Sequence, residues 1–301
     1  MIPKKVFNHE MSDWYTISAT DTDQIQLLSD EFGIDDEFLA YSLDKNERAR
    51  VEFDALSNTF LLIYNVAQQR KVENHYESTP MTFMVKDNHL FTIVSQNTEY
   101  IVPMIEKLIN NDPEISLYNL VFSTLFLIAD AYFPLVEEVN MERKLVNHRL
   151  REKTTNKNLL ALSDLEVGLV YLVMASKQNA VLLEQLRIQP VYRRLTAEEK
   201  EQHEDALIEA KQLVEMTQLA SQILQQLSGA YNNVLNNNLN DTMRFLTVWS
   251  LLLTIPTIVA GFFGMNMPLP FEHDSLGWIM TIGISVILWF VLAFFIRRRI
   301  R

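Results

Sequence analysis

Asn240, Met243, Thr247, Ser250, Thr254, Thr257, Gly261 and Gly264 recur at alternating spacings of three and four. In a helix such residues share one narrow face. The other faces carry Phe245, Leu246, Trp249, Leu251, Leu252, Leu253, Ile255, Ile258 and Val259. Amide and hydroxyl oxygens accept hydrogen bonds from water, so the polar line can border an aqueous path. It also suits close packing, because small residues and Ser/Thr are favoured where helices meet inside a bilayer. Spacing alone leaves both readings open.

A bilayer is implied because Phe245 to Phe271 contains no ionisable side chain. About 20 apolar residues cross the hydrocarbon core as a helix, so the stretch is long enough. Ser275 to Ile296 is a second uncharged stretch, followed at once by Arg297, Arg298, Arg299 and Arg301. The loop between them has Glu272, His273 and Asp274 but neither Lys nor Arg. The positive-inside rule therefore assigns the tail to the cytosol, and two crossings place the N-terminal body there too. Residues 1–16 lack the apolar run of a secretory signal, which agrees.

The polar line needs a long support. Thr196 and Glu199 form a capping-box pair at a helix start, and no proline follows until Pro256. About 60 residues at 1.5 Å each reach roughly 90 Å, too long to be buried in one small domain, so the helix requires partners. Gln212, Glu215, Leu219, Gln222, Gln226, Gly229, Asn233 and Asn236 extend the same register backwards, with Leu213, Met216, Ala220, Ile223, Leu224, Leu227, Tyr231 and Val234 on opposite faces. Asn is a poor helix former, and Asn232–Asn240 could instead make a surface turn. The kept register favours a continuous helix.

Residues 1–112 read as a mixed α/β domain. Short helices are expected at 22–32, stopped by Gly33, and at 35–43. Strands are expected at 50–56, 59–67, 79–86 and 89–95, with turns at Ser57-Asn58 and Asp87-Asn88. Residues 113–190 read as a helical hairpin, one long helix through 116–150 and another through 156–188. Asp130, Glu137, Asp164 and Glu166 interrupt their apolar residues, so neither is expected to span. The remaining divisions are a stalk helix at 191–244, a first span at 245–266, an extracytoplasmic loop at 267–274, a second span at 275–296 and a basic tail at 297–301. The expected fold class is an α/β cytosolic domain plus a stalk helix and two C-terminal transmembrane helices.

Charge and composition narrow the function. Of 26 basic and 38 acidic residues, five Arg and three acids fall after residue 240. The rest therefore carries 21 bases against 35 acids, a net charge of −14. So acidic a body disfavours nucleic acid and suits cations. The absence of cysteine excludes disulfides and thiolate metal cages. The six histidines (9, 75, 89, 148, 203 and 273) show no HExxH pairing, and only seven glycines are present, none in a phosphate-binding loop. A membrane-anchored enzyme or a tethered scaffold is the alternative of another class.

Gly264-Met265-Asn266, followed by Met267-Pro268, closes the first span shortly before the second. With the long helical lead-in and the basic tail, this resembles the CorA family of divalent-metal channels, whose signature is Gly-Met-Asn at that place. The resemblance implies a pentamer in the cell membrane, its axis lined by the first span of each copy. Asn266 then carries ion selectivity, with Gly264 letting the backbone turn and Met265 between them. Asn240 supplies a second amide ring, Thr254 and Thr257 supply hydroxyls, and Met243 and Leu246 match an apolar constriction. It further implies cytosolic divalent ions that hold the channel shut, with Asp205 at the regulatory acid's position. The implied cargo is Mg²⁺, with Co²⁺, Ni²⁺ or Zn²⁺ as companions and a zinc transporter of the same family as rival. Phe263 replaces the family's usual Tyr, and Leu269-Pro270-Phe271 displaces the acid usual after Met-Pro.

Overall fold

The structure, a computed structural model, describes residues 2–264 and 277–300. Met265, Asn266 and the expected loop at 267–274 lie outside the described residues. The chain forms two compact units, one running through Ser228 and the other starting at Gly229.

The first unit is built on a six-stranded sheet. Its strands are β1 (Lys4–Phe7), β2 (Ser12–Ser18), β3 (Arg50–Asp54), β4 (Thr59–Ala67), β5 (Ser78–Lys86) and β6 (His89–Val94). They lie in the order β1-β2-β6-β5-β4-β3, with β2 and β6 parallel and the other neighbours antiparallel. The β3–β4 and β5–β6 hairpins turn where the sequence suggests, and Asn58 and Asp87 take positive φ there. Asn and Asp tolerate that conformation better than most residues. The sequence reading places neither β1 nor β2; β1 is a short edge strand carrying Lys4 and Lys5, a pattern that protects an edge but announces no core.

Helices cover both faces of the sheet. α1 (Thr22–Asp30) and α2 (Asp36–Leu43) are N-capped by Asp21 and Asp35, whose side chains accept from Gln24 N and Glu37 N. Leu28, Phe38 and Leu39 of this pair pack with Leu61 and Ile63 of β4 and Met84 of β5. Alternate β4 residues face the other way, as Phe60 does toward Tyr118, 6.1 Å between rings. That face is covered by α4 (Leu117–Asp130) and α6 (Asn156–Leu186), with α3 (Val102–Asn111) beside α4. Every residue of β4 is consequently buried.

The helix expected through 116–150 is interrupted. α4 ends at Asp130 and α5 (Phe133–Glu152) begins three residues later. Pro134 lacks the N–H that would bond to the Asp130 carbonyl, and its ring crowds that carbonyl. α6 also clamps the sheet. β3 starts opposite Ile63, leaving the Asn65 backbone without a strand on that side. The Asn179 amide fills the gap, accepting from Asn65 N at 2.9 Å and donating to Asn65 O at 2.8 Å.

α7 (Ala197–Phe263) starts at the expected capping box. Glu199 N donates to Thr196 Oγ1, and Thr196 N donates to Glu199 Oε2. The same carboxylate accepts from Ser116 Oγ at 2.7 Å, and Ser116 caps α4. One glutamate thus ties two helix starts together. Leu207, Ala210, Leu213, Ala220 and Leu224 are buried, Ser176 of α6 hydrogen-bonds Thr217 at 3.1 Å, and Arg187 and Lys211 pair with Glu204 and Glu184. This packing draws the first turns of α7 into the body, so the division of the chain falls within the helix.

His203, on the second turn of α7, is fully buried between the Phe122 and Tyr192 rings. Its Nε2 lies 2.9 Å from the Leu183 carbonyl, which can only accept, so Nε2 holds the proton and donates. Nδ1 is buried without a partner. Burial pushes the His203 pKa below the ordinary 6.5, against the Leu183 bond and Glu204, which raise it. The stability this neutral ring supplies is complete above pH 6.5. It falls below that value, where the unfolded chain takes up a proton the folded one refuses, by up to about 1.4 kcal/mol per pH unit. Thermal unfolding of the full-length protein in detergent should therefore lose less stability between pH 6.5 and 5 in His203→Leu than in the wild type. Parallel curves would show that this ring does not govern the acid limb.

Candidate functional site

The second unit consists of the remainder of α7 and α8 (Gly277–Ile300). α7 is helical without a break through Asn232–Asn240, which decides the sequence alternative against a surface turn.

The helix divides into two opposite faces. Leu252 and Val259 are buried in this unit, 9% and 7% exposed, while nearly everything else on the segment is exposed. Pro256 lies between them and lines a cleft with Ser285, Val286, Trp289 and Phe290 of α8. α8 therefore sits against the Leu252–Pro256–Val259 face. Residues nine apart are two and a half turns apart and point in opposite directions. Leu252 is nine residues from both Met243 and Gly261, and Val259 is nine from Ser250. The polar line thus faces away from α8. Packing against the second helix of the same chain does not account for it.

Asn240, Met243, Thr247, Ser250, Thr254, Thr257, Gly261 and Gly264 are all exposed on that face, with Leu246 alongside. Three hydroxyls are already committed as donors: Thr247 to Met243 O at 2.8 Å, Thr254 to Ser250 O at 2.8 Å and Thr257 to Leu253 O at 3.0 Å. Bonding back to the carbonyl four residues earlier is the usual local solution for Thr in a helix. Each oxygen then offers only lone pairs outward. Such a surface accepts from water whose own oxygens are turned toward a cation, because those waters direct their hydrogens outward.

The two glycines differ. A Cβ on Gly261 would meet nothing within 4 Å, whereas one on Gly264 would lie 3.1 Å from the Ala260 carbonyl. Gly264 N donates to that carbonyl at 2.9 Å, so a side chain at 264 would crowd the helix end. Nothing in one chain crowds one at 261. Met265 and Asn266, the other two residues of the signature, lie outside the described residues.

Asp205 is exposed on α7 in the first unit. Among the described residues no three His, Asp or Glu side chains come together as a metal site, around Asp205 or elsewhere. One turn further, Glu209 is raised above the ordinary carboxyl value by burial and by the charge of Asp130. Sequence spacing could not pair these two acids, since Asp130 comes from α4.

Four helical stretches are long and apolar enough to cross a membrane. In Leu117–Glu152 and Asn156–Leu186, 50% and 39% of the apolar window is buried; in Ala197–Phe262 and Trp278–Ile296 the shares are 11% and 0%. The first pair buries a large share of its apolar window within the body. The second pair has little or none of that cover and requires another apolar medium.

A family model described as CorA-like Mg²⁺ transporter protein matches residues 10–298. The chain belongs to the CorA family. It is a membrane transport protein for divalent cations and not an enzyme. The cobalt/magnesium transport protein CorA of Methanocaldococcus jannaschii is 23% identical over 293 residues, covering 95% of this chain and 90% of that one. The Thermotoga maritima protein of the same description is 22% identical over 259 residues, covering 84% and 72%. The complete structure of the M. jannaschii CorA magnesium transporter has the same fold, with a TM-score of 0.79 over 96% of this chain and 90% of that one at 22% identity. The α/β body, long helix and C-terminal apolar helix are thus the CorA arrangement.

Because the chain has no cysteine, single thiols can report on each face without background. Thr254→Cys and Ser250→Cys, in the full-length protein in liposomes, should react with a charged, water-soluble thiol reagent. Leu252→Cys and Val259→Cys should react at least tenfold more slowly. Equal rates on the two faces would remove the aqueous reading.

Proposed function

We propose that this CorA protein is a passive divalent-cation channel of the plasma membrane, chiefly taking up Mg²⁺. The observation that carries the reading is the exposed line of acceptor oxygens on α7, opposite the face that α8 covers. One helix cannot enclose water, so several copies must surround an axis, and the family resemblance suggests five. Residues 245–266 form the pore-lining span and 275–296 the outer span. The α/β body at 1–112, the hairpin at 113–190, the stalk at 191–244 and the basic tail lie in the cytosol, with the loop at 267–274 outside.

Mg²⁺ holds its inner waters tightly and prefers oxygen. A ring of Asn266 amides accepts hydrogen bonds from the hydrated ion, where a ring of carboxylates would bind too tightly to release it. Thr257 and Thr254 continue the contact inward past Gly261, whose missing side chain leaves the path wide. Met243 and Leu246 form an apolar ring that closes by dewetting. Membrane potential supplies about 2.3 kcal/mol per charge per 100 mV, so roughly 4.6 for a divalent ion, over a thousandfold in concentration ratio. No fuel is needed. Both curated relatives named above are described as cobalt/magnesium proteins, which favours Mg²⁺ and Co²⁺ over Ni²⁺ or Zn²⁺ as cargo.

Asn266→Ala should lower Mg²⁺ uptake into liposomes at least tenfold while the oligomer stays intact. A scaffold or an anchored enzyme would be indifferent to the change. Inward flux also needs a brake, and intracellular Mg²⁺ bridging Asp205 to a neighbouring copy would provide one. Asp205→Ala should then shift inhibition by internal Mg²⁺ to severalfold higher concentration. Unchanged inhibition in patch recordings would assign the brake elsewhere.

A further inference from the structure

Ahead of the first span, α7 carries Asn232, Asn233, Asn236, Asn237, Asn238 and Asn240 within nine positions. Asn lowers helix propensity, yet the helix runs through all six, and every one of them is exposed. A residue type that opposes its local structure without a packing gain points to a functional demand. Three of the six have a further property. Asn233 and Asn240 stand fourteen and seven residues before Thr247, and Asn236 stands fourteen before Ser250. They extend the two heptad lines of the polar face, one through Thr254 and Gly261, the other through Thr257 and Gly264. Asn238 points to the far side.

Resting on the pore reading above, we propose that Asn233 and Asn236, together with Asn240, form three stacked amide rings that hold the hydrated divalent cation on the cytosolic side of the Met243–Leu246 constriction. Steps of three and four residues separate the rings by about 4.5 and 6 Å. In hexahydrated Mg²⁺ the metal–oxygen distance is about 2.1 Å, and a hydrogen bond adds about 2.8 Å. An amide oxygen therefore contacts the hydrated ion from about 5 Å away. An ion leaving one ring already touches the next, so it passes along the stack without shedding water. Neutral amides accept from the hydration shell without the charge that would trap a divalent ion.

The test is Mg²⁺ uptake by the full-length protein in liposomes, with an entrapped Mg²⁺-sensitive dye and a fixed potential. Asn233→Leu combined with Asn236→Leu should lower uptake at least tenfold. Leu is the better helix former, so such a loss cannot come from melting of the helix, and size-exclusion chromatography reports assembly. Should the double variant not assemble, Asn236→Leu alone decides, with the same direction expected. Asn236→Gln should keep most of the uptake, and Asn238→Leu should leave it unchanged. If the double variant conducts normally while Thr254→Leu abolishes uptake, the pore stands and the stacked rings are rejected. If Thr254→Leu also conducts normally, the pore reading itself has failed. A loss in Asn238→Leu as large as in the double variant would overturn the proposal as well, since the effect would not depend on the face.

Discussion

The constraint on which the rest depends is that a hydrogen-bonding group inside hydrocarbon must find a partner. An unsatisfied polar group there costs several kcal/mol. α7 lessens the problem by turning the hydroxyl hydrogens of Thr247, Thr254 and Thr257 back onto its own carbonyls. The oxygens' remaining lone pairs, and the amide of Asn240, are not answered by α8, which lies on the opposite side. They must be answered from outside the chain, by water or by further copies. A single copy of the second unit is therefore an incomplete object, and its near-total exposure expresses the same fact for the apolar faces.

The heptad spacing of the polar line bears on how copies would associate. Apolar residues repeating every seven positions fuse helices into a closed coiled coil, while polar residues at those positions weaken the seam. From Gln212 to Gly264 the line is mostly amide, hydroxyl or glycine, interrupted by Glu215, Leu219 and Met243. Helices meeting along such a seam hold together through the residues on either side and leave the centre wet. A strict seven-residue repeat also drifts relative to a straight helix, so a bundle that keeps the line facing its axis winds with a left-handed supercoil.

Much of this was legible in the sequence because the signals were local or periodic. Thr196 and Glu199 are three residues apart, and the capping box they form depends on nothing else. The polar line is a period, and a period survives ignorance of the fold. What stayed hidden depends on contacts between distant segments. Which face of α7 meets α8 follows from Leu252, Pro256 and Val259 only once α8 is placed. The Asn179 clamp on Asn65 joins residues 114 apart, and its cause is the place where β3 begins. β1 was missed because Lys4 and Lys5 lack the apolar alternation that marks a core strand, and β2 joins the sheet only through its pairing with the sequence-distant β6. The break at 131–132 was readable in principle, since Pro134 announces it. The long apolar run on both sides concealed it.

The distribution of charge follows from the same economy. The first span carries no ionisable side chain, and the acids are concentrated upstream, 35 of them against 21 bases before residue 241. A fixed charge within the span would cost desolvation and would bind a divalent cation most strongly where it must move fastest. Carboxylates in the body meet neither objection. Each is screened beyond about 8 Å at physiological salt, so an exposed acid raises the local cation concentration only near its own surface. Polar but neutral groups are thus the ones that can line a conducting path. Ionic groups belong where a cation is to be held rather than passed on.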